Sequence, residues 1–265
     1  MRASLIQLSV DDADSADERR HQAASLVRAR AGDDLVVLPE LWAAGAWAYD
    51  RWGHDAEGLD GPTAEAMSAA AREAGVWLHA GSIVERDADG TLYNTALLFD
   101  RAGELRGCYR KIHRYGFDTG EATLMGGGDA IVTVPTDFGV IGLAICYDLR
   151  FPELFRGLLD AGAELIAIPA AWPAARLTHW QLLTRTRALE EQVFLLACCA
   201  TGTHGGMRQG GHSVAVDPWG TVLGEAGTAE DTLTVDLDMA QVALMRAELP
   251  VLRDRVLAIE APRPR

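Results

Sequence analysis

A chain of 265 residues, 49% apolar and 23% charged, has the material for a full core in one large domain or two small ones. Its formal net charge of −14 argues against a nucleic-acid partner, which needs a basic footprint. No segment approaches the roughly 18 consecutive apolar residues of a membrane span, and the start, "MRASLIQLSVDDAD", turns acidic too soon for a signal peptide; a cytoplasmic protein without membrane association is expected.

In chain order, "SLIQLSV" reads as a strand. Ser15 with Glu18 three residues on forms a capping-box signal, so a helix is expected to run to about Ala31. "DLVVLPE" is a buried strand ending at Glu40. A helix follows over 63–74, stopped by Gly75. "VWLHAGSIVE" and "LYNTALLFD" are strands around the turn residues Asp89 and Gly90, and after the turn "RAGEL" another strand runs into Tyr109. The glycine-rich stretch 111–128 reads as one long loop, a kind usually kept for function. "AIVTV" and "VIGLAIC" are strands, Pro152 opens a helix that closes near Gly162, and "LIAIPA" is another buried strand. The stretch 178–192 reads as a helix with Trp180, Leu183 and Leu189 apolar. "FLLACCA", "HSVAVD", "TVLGEA" and "TLTVDL" are strands, with "DPWG" a tight turn. A last helix falls near 239–249, and the tail "APRPR" is expected to be extended. There is no repeat, linker or composition break, so one domain over 1–265 is expected. Its strands are covered by helices on one side and by a second sheet on the other, which gives an α/β fold, a four-layer α-β-β-α sandwich.

The four cysteines, Cys108, Cys146, Cys198 and Cys199, have no metal-finger spacing, and a chain of this size in a reducing compartment needs no disulfides. No metal and no cofactor are expected. Cys198 and Cys199 read as small buried strand residues, and packing is also the reading for Cys108. Cys146 differs, because it ends an apolar run and is followed at once by Tyr147, Asp148 and Arg150. Three ionisable groups stand at or just beyond apolar strands: Glu40, Lys111 and Cys146. Strand ends in α/β sheets are where ligand sites gather. A cysteine is a nucleophile when something takes its proton, a carboxylate held rigidly after Pro39 suits a base, and an ammonium stabilises an oxyanion. Asp148 and Arg150 are read as a local ion pair that holds the cysteine loop. His113 and His179 offer rival Cys-His chemistry, although the stretch lacks the G-x-C-x-G elbow. His204 and His212 read as loop residues without a neighbouring carboxylate.

"LPELW", "YRKIH" and "CYDLRFPE", in that order and spacing, resemble the three catalytic blocks of the nitrilase superfamily of carbon–nitrogen hydrolases. The resemblance runs from "LIQLS" to "VDLDM" and takes in "WPAARLTHWQLLTRTRALEEQ" and "GGHSVAVDPWG". It implies a catalytic triad of Glu40, Lys111 and Cys146 on an αββα fold, with Glu121 of "GEATLMGGGD" as the second glutamate that many members carry. It also implies that Lys111 and the backbone N–H of Tyr147 hold the oxyanion. A homodimer or higher homo-oligomer is implied as well, packed through "FPELFRGLLDAG" and the helix that follows it.

"CYDLRFPE" followed by WP-x-x-R-x-x-HW resembles the branch of small-amide hydrolases that includes ω-amidases and Nit-type amidases. The substrate expected is a small linear amide, such as an ω-amide of a dicarboxylic or 2-oxo acid, with Arg176 available to bind its carboxylate. "RYGFDTGEA" departs from the "HLF" continuation common in that branch. The alternatives are a nitrilase or N-carbamoyl hydrolase of the same superfamily, a non-catalytic binding member, and a Cys-His thiol hydrolase on another fold.

Overall fold

The apolar runs of the sequence become the inner strands of two six-stranded sheets built on one plan. The structure, a computed structural model, describes residues 1–257. In the first sheet β1 (Arg2–Gln7), β2 (Leu35–Val37) and β3 (Trp77–Arg86) are parallel, and β4 (Leu92–Phe99) and β5 (Leu105–Arg110) continue antiparallel. In the second, β6 (Thr133–Thr136) leads antiparallel into the parallel strands β7 (Gly139–Leu143), β8 (Leu165–Ala170) and β9 (Phe194–Cys199). A small hairpin, β10 (Thr203–His204) and β11 (Met207–Arg208), follows where a loop is expected from the sequence. Then β12 (Val214–Val216) and β13 (Val222–Glu225) extend the second sheet, and β14 (Asp231–Asp236) crosses back to pair with β1.

Strand alternation sorts the side chains into layers. Leu35 and Val37 point into the core between the sheets, while Val36 and Leu38 join the layer beneath α1 (Ala16–Arg28) and α3 (Pro62–Ala74). On the far side α5 (Pro152–Asp160) and α6 (Leu177–Glu191) cover the second sheet through Leu154, Phe155, Leu158 and Trp180. Each such fully buried side chain contributes roughly 1.5–3 kcal/mol. The architecture is thus the four-layer sandwich expected. Three smaller elements complete it: α2 (Trp52–Asp55), α4 (Glu121–Leu124) and α7 (Ala240–Glu248). On the faces proposed for assembly Phe155 and Trp180 are buried within the chain, whereas Leu182 and Leu189 of α6 are exposed. Among the described residues, no helix is long and apolar enough to cross a membrane. The tail 261–265 lies outside the described residues.

The capping box at Ser15 and Glu18 forms as read, with Ser15 N–H donating to Glu18 Oε2 (2.8 Å), but the helix stops at Arg28. "AIVTV" is shifted: pairing of Thr133 with Gly142 and of Thr136 with Gly139 puts β6 at 133–136. "VIGLAIC" leaves the sheet at Leu143, because the Ile145 N–H is taken by Asp148 Oδ2 (2.9 Å) instead of a neighbouring strand. The stretch 111–128 holds α4 within its loop.

Candidate active site

The parallel strands β2 and β8 end at the seam between the sheets, and the chain after β2 crosses it. Leu38 N–H still bonds to His79 O of the first sheet (2.9 Å), and Glu40 N–H reaches Ala170 O of the second (3.5 Å). Leu41 then takes φ 45, a left-handed conformation costly for a residue with a Cβ, and its N–H is caught by Ser82 Oγ (3.1 Å). Gly81 of β3, at φ 70, makes room for this turn: a Cβ there would lie 1.9 Å from Pro39 O. The result is a carboxylate that cannot wander. Glu40 Oε1 accepts from Lys111 Nζ (2.6 Å) and Asn94 Nδ2 (2.8 Å), and Oε2 accepts from the Ala171 N–H (3.0 Å).

Lys111 leaves β5 with its N–H on Asn94 O (2.8 Å), and its side chain is only 2% exposed. Besides Glu40, its Nζ contacts Glu121 Oε2 (2.8 Å) and Oε1 (3.0 Å). Burial disfavours the ammonium, but Glu121 and Glu40 together outweigh it and hold Lys111 well above its ordinary pKa, so it stays charged. Glu121 opens α4 and is buried there. Its Oε2 also accepts the Tyr115 N–H (2.7 Å), and its Oε1 accepts from Asn94 Nδ2. Burial raises its pKa, opposed by Lys111 and assisted by Glu40.

Cys146 begins a single 3₁₀ turn, Cys146–Arg150, at φ 42. The nucleophile-like turn therefore exists without the flanking glycines of the elbow motif. Asp148 closes it from below: fully buried, it accepts from the Ile145 N–H (2.9 Å), the Tyr109 hydroxyl (2.8 Å), the His113 N–H (3.1 Å) and His113 Nδ1 (2.8 Å). Burial, then the negative charge of Glu40, push the Cys146 thiol well above its ordinary pKa, and Lys111 opposes this only in part. At rest it is a thiol. The Tyr147 N–H, next along the turn, has no hydrogen-bond partner among the described residues.

Glu40, Lys111, Glu121 and Cys146 line one pocket, and so do Tyr147 and Arg176. Its walls are largely aromatic, from Trp47, Tyr49, Trp52, Tyr115, Tyr147 and Trp172. Arg176, at the end of a short turn after "WP", places its guanidinium 3.3 Å from Tyr115 Oη. The ion pair expected between Asp148 and Arg150 does not form, because His113 and Tyr109 occupy the Asp148 carboxylate. Arg150 instead lines the pocket, 4.6 Å above the Trp172 ring and 3.2 Å from His179 Nδ1. His113 stacks on Phe151 with ring centroids 3.7 Å apart, and neither histidine hydrogen-bonds to Cys146 among the described residues, which removes the geometry a Cys-His pair requires. His212, read as lacking a carboxylate neighbour, has Glu225 Oε1 at 2.8 Å.

The model of one protein family, carbon–nitrogen hydrolase, matches residues 2–247. The chain belongs to the carbon–nitrogen hydrolase family. Within the nitrilase superfamily it falls in the Nit2/ω-amidase branch, and it is an amidase of the cysteine-dependent kind. This hydrolase is 39% identical to a 2-oxoglutaramate amidase of Paenarthrobacter nicotinovorans, over 95% of this chain and 88% of the relative. It is 36% identical to the mouse omega-amidase NIT2, over 99% of both. Among solved structures, Saccharomyces cerevisiae Nit3, a member of branch 10 of the nitrilase superfamily, superposes with a TM-score of 0.88 at 28% identity over 97% of each chain.

Sequence reasoning missed several residues that build the hydrolase's pocket. Trp47, Tyr49 and Trp52 sit in "LWAAGAWAYDRWG", which has neither helical nor strand period; a cluster of aromatics directly after "LPE" was the available signal. Asn94 was read only as part of a strand. The signal there was an amide on the inward face of "LYNTALLFD", a polar group in a position whose neighbours Ala96 and Leu98 are core.

Proposed function

We propose that this amidase hydrolyses a small linear amide carrying a carboxylate at its far end, such as the ω-amide of a dicarboxylic or 2-oxo-dicarboxylic acid. The observation that carries the reading is Arg176, a guanidinium at the wall of an aromatic pocket with no carboxylate partner among the described residues, in a chain with 38 acidic side chains to choose from. Arg150, likewise without an acidic partner among the described residues, adds positive charge on the same wall. The names of the 2-oxoglutaramate amidase and omega-amidase relatives agree with this chemistry.

In this reading Glu40 takes the Cys146 proton as the sulfur attacks the amide carbon. A base already beside the thiol is needed, because the thiol does not ionise on its own at neutral pH. The new C–S bond moves the carbonyl electrons onto oxygen. The Tyr147 N–H donates to that oxygen, and so does Lys111, which turns one of its two hydrogens on Glu121 toward the substrate and keeps the others on Glu40 and Glu121. Losing one such donor typically costs about a hundred- to a thousandfold in rate. The tetrahedral adduct collapses, the C–N bond breaks, and Glu40 returns its proton to the leaving ammonia. Water then attacks the thioester while Glu40 accepts its proton, and collapse releases the acid and regenerates the Cys146 thiol. Glu121, with donors on both oxygens, is the fixed anion that orients Lys111.

Arg176→Ala tests the substrate class. A charge-assisted pair removed from water contributes roughly 1.5–3 kcal/mol, so KM for succinamic acid is expected to rise about ten- to a hundredfold while neutral amides such as butyramide change little. Equal loss on both, measured as ammonia release, returns Arg176 to a surface role and removes the carboxylate from the proposal.

A further inference from the structure

Four carboxylate oxygens surround Lys111, and they are not equivalent. Glu121 Oε1 accepts from Lys111 and Asn94, Glu121 Oε2 from Lys111 and the Tyr115 N–H, and Glu40 Oε1 from Lys111 and Asn94. Among the described residues the one N–H donor to Glu40 Oε2 is that of Ala171. Among the described residues it is the oxygen of the four with a single N–H donor, which leaves a lone pair for the Cys146 thiol proton. Two of the three doubly filled oxygens owe their second donor to a single side chain, the amide of Asn94.

We propose that Asn94 is a positioning residue: by giving one amide hydrogen to Glu40 and the other to Glu121, it fills Oε1 of both carboxylates and leaves Glu40 Oε2 as the oxygen that takes the thiol proton. This rests on the reading of Glu40 as the base. The amide orientation is forced, because the flipped amide would set its oxygen against two carboxylates. Its Oδ1, buried and without a donor among the described residues, is the counterpart of spending both hydrogens on charged acceptors. The backbone adds to the role. Asn94 lies within β4, opposite Val84, and its carbonyl accepts the Lys111 N–H (2.8 Å), so one rigid strand residue ties down the lysine and both glutamates. The competing view is that Asn94 merely fills volume on the inner face of β4.

The two views separate experimentally. Asn94→Leu and Asn94→Asp keep the size, and neither supplies two donors. If Asn94 positions the base, ammonia release from succinamic acid is expected to lose roughly ten- to a hundredfold in kcat with KM within about threefold. The pH profile moves too. Losing a hydrogen bond donated to an ionised carboxylate disfavours the ionised form, so the acid limb of kcat/KM is expected to shift to higher pH. The titratable and charged groups facing Glu40 are Lys111, Glu121, Cys146, Tyr49 and Cys199. Tyr49 and Cys199, both pushed up to about 12 by burial above all, stay neutral across that limb. The rate of Cys146 alkylation by iodoacetamide against pH gives the same limb without any substrate. Folded Leu and Asp variants with kcat within threefold of wild type and an unmoved limb overturn the proposal. Should they not fold, Asn94→Ser, which keeps one donor, decides: an intermediate loss with a partly moved limb supports the role, and wild-type behaviour overturns it. Glu40→Gln run alongside tells the two ideas apart. An active Glu40→Gln enzyme removes the base assignment itself, whereas a dead one beside a normal Asn94→Leu enzyme removes only Asn94.

Discussion

Two turns meet at the seam of this sandwich, and they use backbone strain differently. The first follows β2 and carries Glu40; the second follows β7 and carries Cys146. Each contains a non-glycine residue in the left-handed region, Leu41 at φ 45 and Cys146 at φ 42. At the acid turn the strained residue comes after the functional one, and the carboxylate itself is held from three sides: Lys111 and Asn94 donate to Oε1 and the Ala171 N–H to Oε2. At the thiol turn the strained residue is the cysteine, and the stabilising hydrogen bonds lie beneath it, on Asp148. A base needs fixed neighbours that set its proton affinity. A nucleophile needs open space ahead and support behind. Bending the backbone at the sulfur supplies both.

That contrast can be broken most severely at the sulfur. Cys146→Ala is expected to abolish turnover, and a substrate trapped at low pH should give an acyl adduct on the Cys146 peptide by mass spectrometry; an adduct on Cys108, Cys198 or Cys199 assigns the reaction elsewhere. Next comes the acid turn. Glu40→Gln keeps the shape and removes the titratable group, so a loss of about a hundred- to ten thousandfold in kcat is expected in a protein that still folds. Retained turnover in this variant breaks the division of labour between the turns. Asp148→Asn attacks the support beneath the sulfur. It removes a buried charge that binds four donors, with an expected stability loss of about 3 kcal/mol and a smaller effect on kcat than Glu40→Gln; denaturant titration and kinetics on the same preparation check the order. The smallest effect is expected at Ser82→Ala, which takes one hydrogen bond from the strained Leu41 N–H and should cost about 1 kcal/mol with little change in pH profile.

How far these turns could be read from the sequence depends on the kind of information each needed. Glu40, Lys111 and Cys146 stood out because each ends an apolar run, and a charge or thiol at a strand end has few packing explanations. The two layers of strands followed from the alternation of elements. Glu121 came only through family resemblance, since a glutamate in a glycine-rich loop has no local signature of burial. The Asp148–Arg150 pair failed because nearness in sequence does not decide partners in space. Within one 3₁₀ turn the two side chains diverge, and His113 and Tyr109, more than thirty residues earlier, reach the carboxylate first. Asn94 and the aromatic wall required the third dimension: one sits inside an ordinary strand, and the other lies on a stretch with no period at all.

The protonated state of the Cys146 thiol also bears on chemical durability. Peroxide and similar oxidants attack the thiolate, and the first rung, sulfenic acid, is reached slowly by a thiol that keeps its proton. Burial and the adjoining negative charge of Glu40 push the Cys146 thiol toward that condition. Many thiol enzymes keep a standing thiolate and accept its vulnerability to air and stress. In the proposed mechanism the sulfur is made reactive only during the encounter, by the same carboxylate that otherwise suppresses its ionisation, so the resting enzyme is expected to react with peroxide more slowly than an enzyme that keeps a standing thiolate.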